Sequence, residues 1–257
     1  LKGLRTIMSN YDSFAEVYDS LMCDVNYTER TEYLLKLFDK YDRKPTLLLD
    51  LACGTGGFSN ELAKRGIEVI GVDASQEMLS SAFKKSEEAG TDVFYLCQRA
   101  EALDLYGTVD GAICCLDSLN HITDYADFSS ALQRVGLFLE KGRLFIFDVN
   151  TVYKHKHVLA DNTYIIEENG VYCAWQNFTD EESLVTDIVL DFFKEENGVY
   201  RRFGEEFSER AYTEKEIENA AAEAGLEILA VLDDITGNPI TETSERAVYV
   251  TRKVKEA

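Results

Sequence analysis

The chain has 257 residues, with 47 acidic side chains against 26 Lys and Arg, for a formal net charge of −21 at pH 7. This length allows a full buried core and suits one domain that carries an insertion. The acidity argues against a nucleic-acid partner, because binding to phosphates requires a local basic surface and none stands out in the sequence.

Membrane and redox signals are also missing from the sequence. No run of about 18 apolar residues would span a membrane, and no secretory signal opens the chain. The six cysteines form no C-x-x-C pair, and several fall in predicted strands, where a buried thiol behaves as a small apolar group. We therefore expect a cytoplasmic protein without a metal site.

The first predicted elements are helices. Residues 11–22 place apolar side chains at helical spacing, with Tyr11, Phe14 and Tyr18 on one stripe. A second helix is predicted over 28–41, and Pro45 separates it from the strand that follows. From the residues alone, the first helix is expected to cover a sheet.

A glycine-rich turn after a buried strand organises the rest of the chain. The apolar run 47–51 contains Asp50 and breaks into a turn with Gly54 and Gly56, before a helical segment over 59–65. Glycine permits positive φ and close approach of a ligand, so we expect a Cβ at either glycine to collide with a ligand or to force a strained φ. Strand, turn and helix in this order build a nucleotide pocket at the carboxyl end of a first strand.

The next predicted strand, over 68–73, ends in a carboxylate. Asp73 lies 19 positions beyond Gly54, and in such a unit this acid can accept hydrogen bonds from both ribose hydroxyls. A nicotinamide-binding turn would have the pattern G-x-G-x-x-G, but its sixth position is Ser59 here. An NAD-dependent oxidoreductase is therefore the less favoured alternative.

The two blocks together, DLACGTGGFSNELAKRG over 50–66 and VIGVDASQEML over 69–79, resemble the first two motifs of class I S-adenosylmethionine-dependent methyltransferases. The resemblance extends, at lower specificity, over 11–254. It implies S-adenosyl-L-methionine as the cofactor, with the helices of 11–41 as a lid in which Tyr11 and Tyr18 face the sulfonium. The cofactor-binding residues that it implies are Tyr18, Asp50, Ala52, Gly54, Thr55, Gly56, Asp73, Ala74, Met78, Ala100, Glu101, Leu116 and Asp117.

The adenine end of the implied pocket departs from the family pattern. Similar enzymes pack a side chain on the adenine at the position of Met78, and many have an acid where this chain has Arg99. Without that acid, the resemblance leaves the adenine contact to the backbone of Ala100 or to Glu101. The elements predicted from here to residue 150 are helices over 76–89 and 126–140 and strands over 93–97, 109–116 and 143–150.

Polar residues follow the fourth strand at the sheet edge that also receives Gly54 and Asp73. In the family this is where cofactor and acceptor meet, so Asn120 and His121, together with Tyr11, are candidate substrate contacts. His121 is also a candidate general base, because histidine titrates near neutral pH. Asp117, Asn120 and His121 can equally satisfy the hydrogen bonds of a turn and a helix cap, and the residues alone leave both roles open.

Beyond residue 150 the pattern alternates polar with aromatic or β-branched residues. Asn169-Gly170 and Asn197-Gly198 indicate hairpin turns in an antiparallel sheet, and His155 and His157 in the polar stretch before it are expected to be solvated. A capping box at Thr213 then begins a helix. The predicted strands are 163–168, 171–179, 183–194 and 199–212 in the sheet, followed by the helix over 213–224 and strands over 226–232 and 247–254.

These elements predict an α/β fold, a doubly wound Rossmann-like sheet of seven mostly parallel strands with an antiparallel strand seven. Residues 8–150 and 213–257 are expected to form the cofactor-binding domain. Residues 151–212 are expected to form an inserted antiparallel β subdomain, which at this location can roof an acceptor pocket.

The resemblance implies transfer of a methyl group by in-line displacement, and the acidic composition with the inserted sheet favours a small-molecule acceptor. The fourth-motif residues, Leu116-Asp117-Ser118-Leu119, lack the N-P-P-Y/F pattern found where amines of bases or of glutamine are methylated. Two alternatives stay open at this point. One is an RNA or protein methyltransferase, and the other is a non-catalytic S-adenosylmethionine-binding module.

Overall fold

The described chain comprises residues 17–18, 22 and 24–255 of a computed structural model. Its helices are α1 Tyr27–Tyr41, α2 Gly57–Ala63, α3 Gln76–Ala89, α4 Tyr125–Phe138 and α5 Glu214–Glu223. Its strands are β1 Leu47–Leu51, β2 Glu68–Asp73, β3 Val93–Cys97, β4 Gly111–Cys114, β5 Leu144–Asn150, β6 Thr163–Glu168, β7 Val171–Asp180, β8 Val185–Glu196, β9 Val199–Arg210, β10 Leu226–Asp233, β11 Asn238–Pro239 and β12 Arg246–Lys253.

The larger sheet has the strand order β11-β10-β12-β5-β4-β1-β2-β3. Strands β1 to β5 pair in parallel, and β12 lies antiparallel between β5 and β10. The predicted α/β fold with an antiparallel strand seven is therefore confirmed. The additional strand β11 is a two-residue edge strand. Within the described ranges no helix is both long and apolar enough to cross a membrane.

Helices pack on both faces of the larger sheet. Helix α2, which follows β1, packs Phe58 and Leu62 into the core on one face. Helix α4, which comes after β4, packs Phe128 and Leu132 into the core on the other face. Because β1 and β4 are neighbours, their carboxyl ends open a crevice where the chain changes direction, which is the usual ligand position in such sheets.

Strands β6 to β9 form a separate antiparallel sheet, here called the inserted sheet. Both predicted Asn-Gly turns have positive φ at each residue, which matches the twist that a two-residue hairpin needs. The inserted sheet has its own apolar cluster around Cys173 and Phe192, and Val17, at 1% exposure, packs into this cluster. The first helix expected in the lid therefore contacts the inserted sheet through Val17, whereas the second, α1, packs Leu34, Leu37 and Phe38 into the core of the larger sheet. Tyr11 and Phe14 lie outside the described residues.

Two local differences from the predicted elements bear on the site. Strand β4 stops at Cys114 rather than at residue 116, because Leu116 and Asp117 both adopt left-handed backbone conformations, with φ of 58° and 53°. The stretch before the inserted sheet contains an unpredicted π-helix, Lys154–Leu159, which buries His155 completely. His155 is thus not solvated, whereas His157 is exposed as expected.

Helices α4 and α5 approach each other closely at Gly136, where an added Cβ would meet the backbone carbonyl of Ala224. Helix propensity alone predicts that Gly136→Ala stabilises the fold by about 0.5–1 kcal/mol. A backbone carbonyl has little freedom to move aside, and overpacking costs about 1–3 kcal/mol, so the steric effect should win. We expect Gly136→Ala to lower the free energy of unfolding by about 1–2 kcal/mol in urea titrations.

The matched control is Gly107→Ala, because no heavy atom lies within 4 Å of a Cβ at Gly107. This variant should match the wild-type unfolding midpoint. A Gly136→Ala protein as stable as the wild type would show that the two helices can separate freely.

Candidate active site

The turn after β1 has the backbone geometry that its glycines predict. Ala52, Gly54 and Gly56 all have positive φ, at 56°, 54° and 77°. The Cys53 amide donates to the Val72 carbonyl at 3.0 Å, which ties the turn to β2, and the Gly56 amide donates to the Cys53 carbonyl at 2.9 Å. The turn is therefore fixed in shape before any ligand binds.

The two glycines differ in what surrounds them. No heavy atom lies within 4 Å of a Cβ built on Gly54, whereas a Cβ on Gly56 would lie 2.6 Å from the Tyr95 hydroxyl. Gly56 is thus required by the protein's own packing and its positive φ. Gly54 faces open space at the crevice, which is where a ligand would lie.

Asp50 supports the turn from beneath. Its carboxyl is buried and accepts a hydrogen bond of 2.5 Å from the Ser59 hydroxyl. Burial raises the pKa of Asp50 to about 7, although the Ser59 hydrogen bond opposes the shift. Ser59, the residue that departs from the nicotinamide pattern, therefore donates a hydrogen bond to a buried acid. Asp50 lies beneath the turn, on the side away from the open space at Gly54.

Asp73 joins the ends of β1 and β2. One carboxylate oxygen accepts from the Gly54 amide at 2.9 Å and the other from the Ser75 amide at 2.8 Å. Burial raises the pKa of Asp73, and these backbone hydrogen bonds oppose that rise. Each oxygen can accept a second hydrogen bond, so the acid can still receive ribose hydroxyls in the orientation that the backbone sets.

The adenine end of the predicted pocket has two parts. Ala74 is exposed and Met78 is half-buried in the first turn of α3, which the Ser75 hydroxyl caps at 3.2 Å from the Met78 amide. Ala100 and Glu101 lie in a short 3-10 helix after β3. There the Glu101 carboxylate pairs with the guanidinium of Arg99, so the base at the family's acid position is itself neutralised by an acid.

A charged clamp holds the turn after β4. The amides of Leu116 and Asp117 donate to the two carboxylate oxygens of Asp148 at 2.8 and 2.7 Å. Arg246 from β12 bridges Asp148 at 2.5 Å and Asp117 at 2.7 Å. Burial would raise the pKa of Asp117, but the Arg246 guanidinium outweighs it and lowers that pKa to about 2.

A second acid, Glu209 at the end of β9, enters the same cluster from the inserted sheet. The Asn150 side-chain amide donates to Asp117 at 2.7 Å and to Glu209 at 3.3 Å. Burial and the nearby Asp117 charge raise the pKa of Glu209 to about 8, against the opposing effects of Asn150, Lys154 and Arg246. Two acids that share one amide are thus held in different protonation states at neutral pH, a pattern typical of acid–base sites.

Two histidines flank Glu209. The Nε2 atoms of His121 and His155 lie 3.8 and 3.9 Å from its two carboxyl oxygens. His155 is fully buried and contacts the Thr186 hydroxyl at 2.9 Å, whereas the His121 side chain is 46% exposed. Burial lowers the pKa of His121 despite the attraction of Asp117 and Asp73, so its imidazole is neutral at pH 7 and can accept a proton.

Asn120 has a different environment from the one expected for a substrate contact. It is fully buried, donates to the carbonyls of Arg210 at 2.8 Å and Asn150 at 3.3 Å, and accepts from the Asn150 amide at 2.9 Å. Its side chain therefore connects the turn to β5 and β9.

Tyr18, one of the aromatic residues expected to face the sulfonium, is half-buried.

Comparison with known proteins gives the family. A family model described as a methyltransferase domain matches residues 48–142. The YqeM protein of Bacillus subtilis (strain 168) is 32% identical over 247 residues, 95% of this chain and 98% of that protein. The structure of an S-adenosylmethionine-dependent methyltransferase from Clostridium acetobutylicum ATCC 824 is 32% identical, with a TM-score of 0.87 over 95% of this chain and 99% of that chain.

The chain belongs to the class I S-adenosylmethionine-dependent methyltransferase family. Its methyltransferase fold also matches CalS10, an amino pentose methyltransferase from Micromonospora echinaspora, at 18% identity and a TM-score of 0.75 over 94% of this chain and 97% of that one. The positive-φ turn at Gly54 and the braced carboxylate of Asp73 are suited to the nucleoside and amino-acid parts of such a cofactor. Asp148, Asn150, Glu209 and Arg246 were not predicted as site residues from the sequence, because no motif marks them.

The open space at Gly54 gives a direct test of the cofactor pocket. Gly54→Ala places a methyl group at the crevice, and we expect it to weaken S-adenosylhomocysteine binding at least about tenfold in calorimetry, because the ligand loses its close approach to the backbone. Gly90→Ala is the matched control, since Gly90 also has positive φ (64°) and open surroundings but ends α3. It should bind normally; equal affinities in both variants would place the ligand elsewhere.

Proposed function

We propose that this methyltransferase transfers the methyl group of S-adenosylmethionine to a small-molecule acceptor bound between the turn after β4 and the inserted sheet. The observation that carries the proposal is the meeting of His121, on that turn, with Glu209, on the inserted sheet. His121 is exposed enough to touch an acceptor, and Asp73 and Asp117 both influence its charge. A base for the acceptor's proton therefore lies beside the turns proposed to hold the cofactor.

The cofactor, when bound, supplies an activated methyl group whose transfer is an in-line displacement. The chain's own task is to align the acceptor, and proximity with orientation lowers the barrier by several kcal/mol. Gly54 and Asp73 fix the cofactor's position. Nε2 of His121 takes the proton that the acceptor loses, and Glu209 stabilises the resulting imidazolium when it is ionised.

An amine is the acceptor that this arrangement suits best. Amines are protonated at neutral pH and must lose a proton before attacking a carbon, so they need a base such as His121. The ionised carboxylate of Asp117 favours a cationic group nearby. The similarity of the fold to CalS10, an amino pentose methyltransferase, supports a small amine as the acceptor. We therefore propose N-methylation of a small polar amine.

The other functions weighed from the sequence find less support. An RNA or protein methyltransferase would be favoured by a basic or extended groove, and the buried acids beside His121 point away from one. A non-catalytic S-adenosylmethionine-binding module would have no use for a histidine backed by a protonatable acid. A module of that kind would bind S-adenosylhomocysteine, but it would not convert S-adenosylmethionine to S-adenosylhomocysteine with any acceptor.

The base is tested by paired substitutions. With an acceptor found by screening matched amino and hydroxy sugars for S-adenosylhomocysteine release, His121→Asn should lower kcat about 100-fold or more, as expected for loss of a general base. Cofactor affinity should stay within about threefold. His157→Asn is the control, because His157 is exposed in the π-helix, and it should keep full activity.

The pH dependence identifies the role of Glu209. Because burial raises its pKa to about 8, Glu209 is protonated below that pH and ionised above it, so wild-type kcat should rise as pH passes through about 8. Glu209→Gln should remove this rise, leaving a profile set by the acceptor and His121. An unchanged profile in Glu209→Gln, or full activity in His121→Asn, would mean that alignment alone performs the transfer.

A further inference from the structure

A second cavity lies away from the cofactor crevice, at the start of α5. Its volume is about 540 Å³, within the range of about 300–1,000 Å³ typical of small-molecule sites. The buried side chains of its apolar floor are Val149, Tyr212, Ile217, Ala247 and Tyr249. Nothing in the methyl-transfer site described above uses these side chains.

The cavity and the active-site cluster lie on opposite faces of the larger sheet. Successive residues of a strand point to opposite faces. On β5, Asp148 and Asn150 bond to the turn that holds Asp117, whereas Val149 between them belongs to the core of the other face. On β12, Arg246 pairs with Asp148, whereas Tyr249 belongs to the same core cluster as Val149. The sheet itself therefore separates the two sites.

One polar group in the cavity has no partner. Tyr249 is 3% exposed, and its hydroxyl makes no hydrogen bond within the part of the chain that the structure describes. Burial, with the charges of Glu214 and Glu218, raises its pKa, so the hydroxyl stays protonated and can both donate and accept. Because Tyr249 lines the cavity, this hydroxyl is available to a ligand that enters it.

The rim of the cavity is acidic. Glu214, Glu218 and Glu242 line it together with Lys215, which pairs with Glu218 at 3.2 Å. Among the described residues, no cation pairs with Glu214 or Glu242. Tyr153 adds an aromatic ring to the wall. Carboxylates above an aromatic and aliphatic floor favour a ligand that has a positive charge and an apolar body.

We propose that this cavity is a second binding site, for a small organic cation with an apolar body, independent of the cofactor crevice. Glu214 and Glu242 attract the cation, the Tyr249 hydroxyl accepts a hydrogen bond from it, and the floor holds the apolar body.

The test uses benzylamine as the probe and benzyl alcohol as its uncharged counterpart, each titrated into the intact 257-residue chain and followed by amide NMR shifts. Benzylamine should shift amides of 212–218 and 247–249, at least about fivefold more tightly than benzyl alcohol, because only the amine gains the two carboxylates. The Glu214→Gln/Glu242→Gln variant should remove this preference. Glu87→Gln/Glu88→Gln, which makes the same change in net charge at the end of α3, should retain it.

Two further measurements make the result decisive. Tyr249→Phe keeps the ring stacked on Phe147, at 5.1 Å between centroids, and should weaken benzylamine at least about threefold through loss of the hydroxyl. Saturating S-adenosylhomocysteine should leave benzylamine affinity unchanged within about twofold. Equal binding of amine and alcohol, shifts confined to the cofactor crevice, or loss of binding with S-adenosylhomocysteine would each overturn the proposal, whatever the fate of the proposed methyl transfer.

Discussion

The carboxylate of Asp148 is the group on which the candidate active site depends. Two consecutive non-glycine residues, Leu116 and Asp117, have left-handed backbone conformations that cost about 1–2 kcal/mol each. Asp148 offsets this cost by accepting both of their amides, and Arg246 balances its charge. These contacts join the turn after β4 to β5 and β12. Removing one member would leave a buried charge unpaired, which is strongly destabilising.

The same clamp connects the cofactor edge to the inserted sheet. Asn150 follows Asp148 by two residues on β5, and its amide reaches both Asp117 and Glu209. Asn120 fastens the turn to the end of β9 from the other side. An acid supplied by the inserted sheet can thus share a site with a histidine supplied by the Rossmann-like sheet. This shared attachment is the physical reason for placing the acceptor between them.

The order of elements and the cofactor turn were predictable because their signals are local. The Gly54–Gly56 turn, the acid ending β2 and the capping box at Thr213 each lie within a few residues of the backbone groups that they control. The clamp was not predictable, because Arg246 and Asp148 are 98 residues apart and neither lies in a motif. The burial of His155 was missed for a related reason: the polar residues around it suggest solvent, and a packed π-helix next to the inserted sheet overrides them.

The central claim, that one cofactor contacts the turns after β1, β2 and β4 together, is tested most directly by amide hydrogen exchange with and without S-adenosylhomocysteine. We expect slower exchange with ligand in 52–57, 73–78 and 115–121 at once, and unchanged exchange in 89–92 at the far end of α3. Slower exchange in 17–22 as well would support the lid. Protection limited to one of the three turns, or equal exchange in both states throughout, would contradict the placement of the cofactor and of the proposed acceptor site beside it.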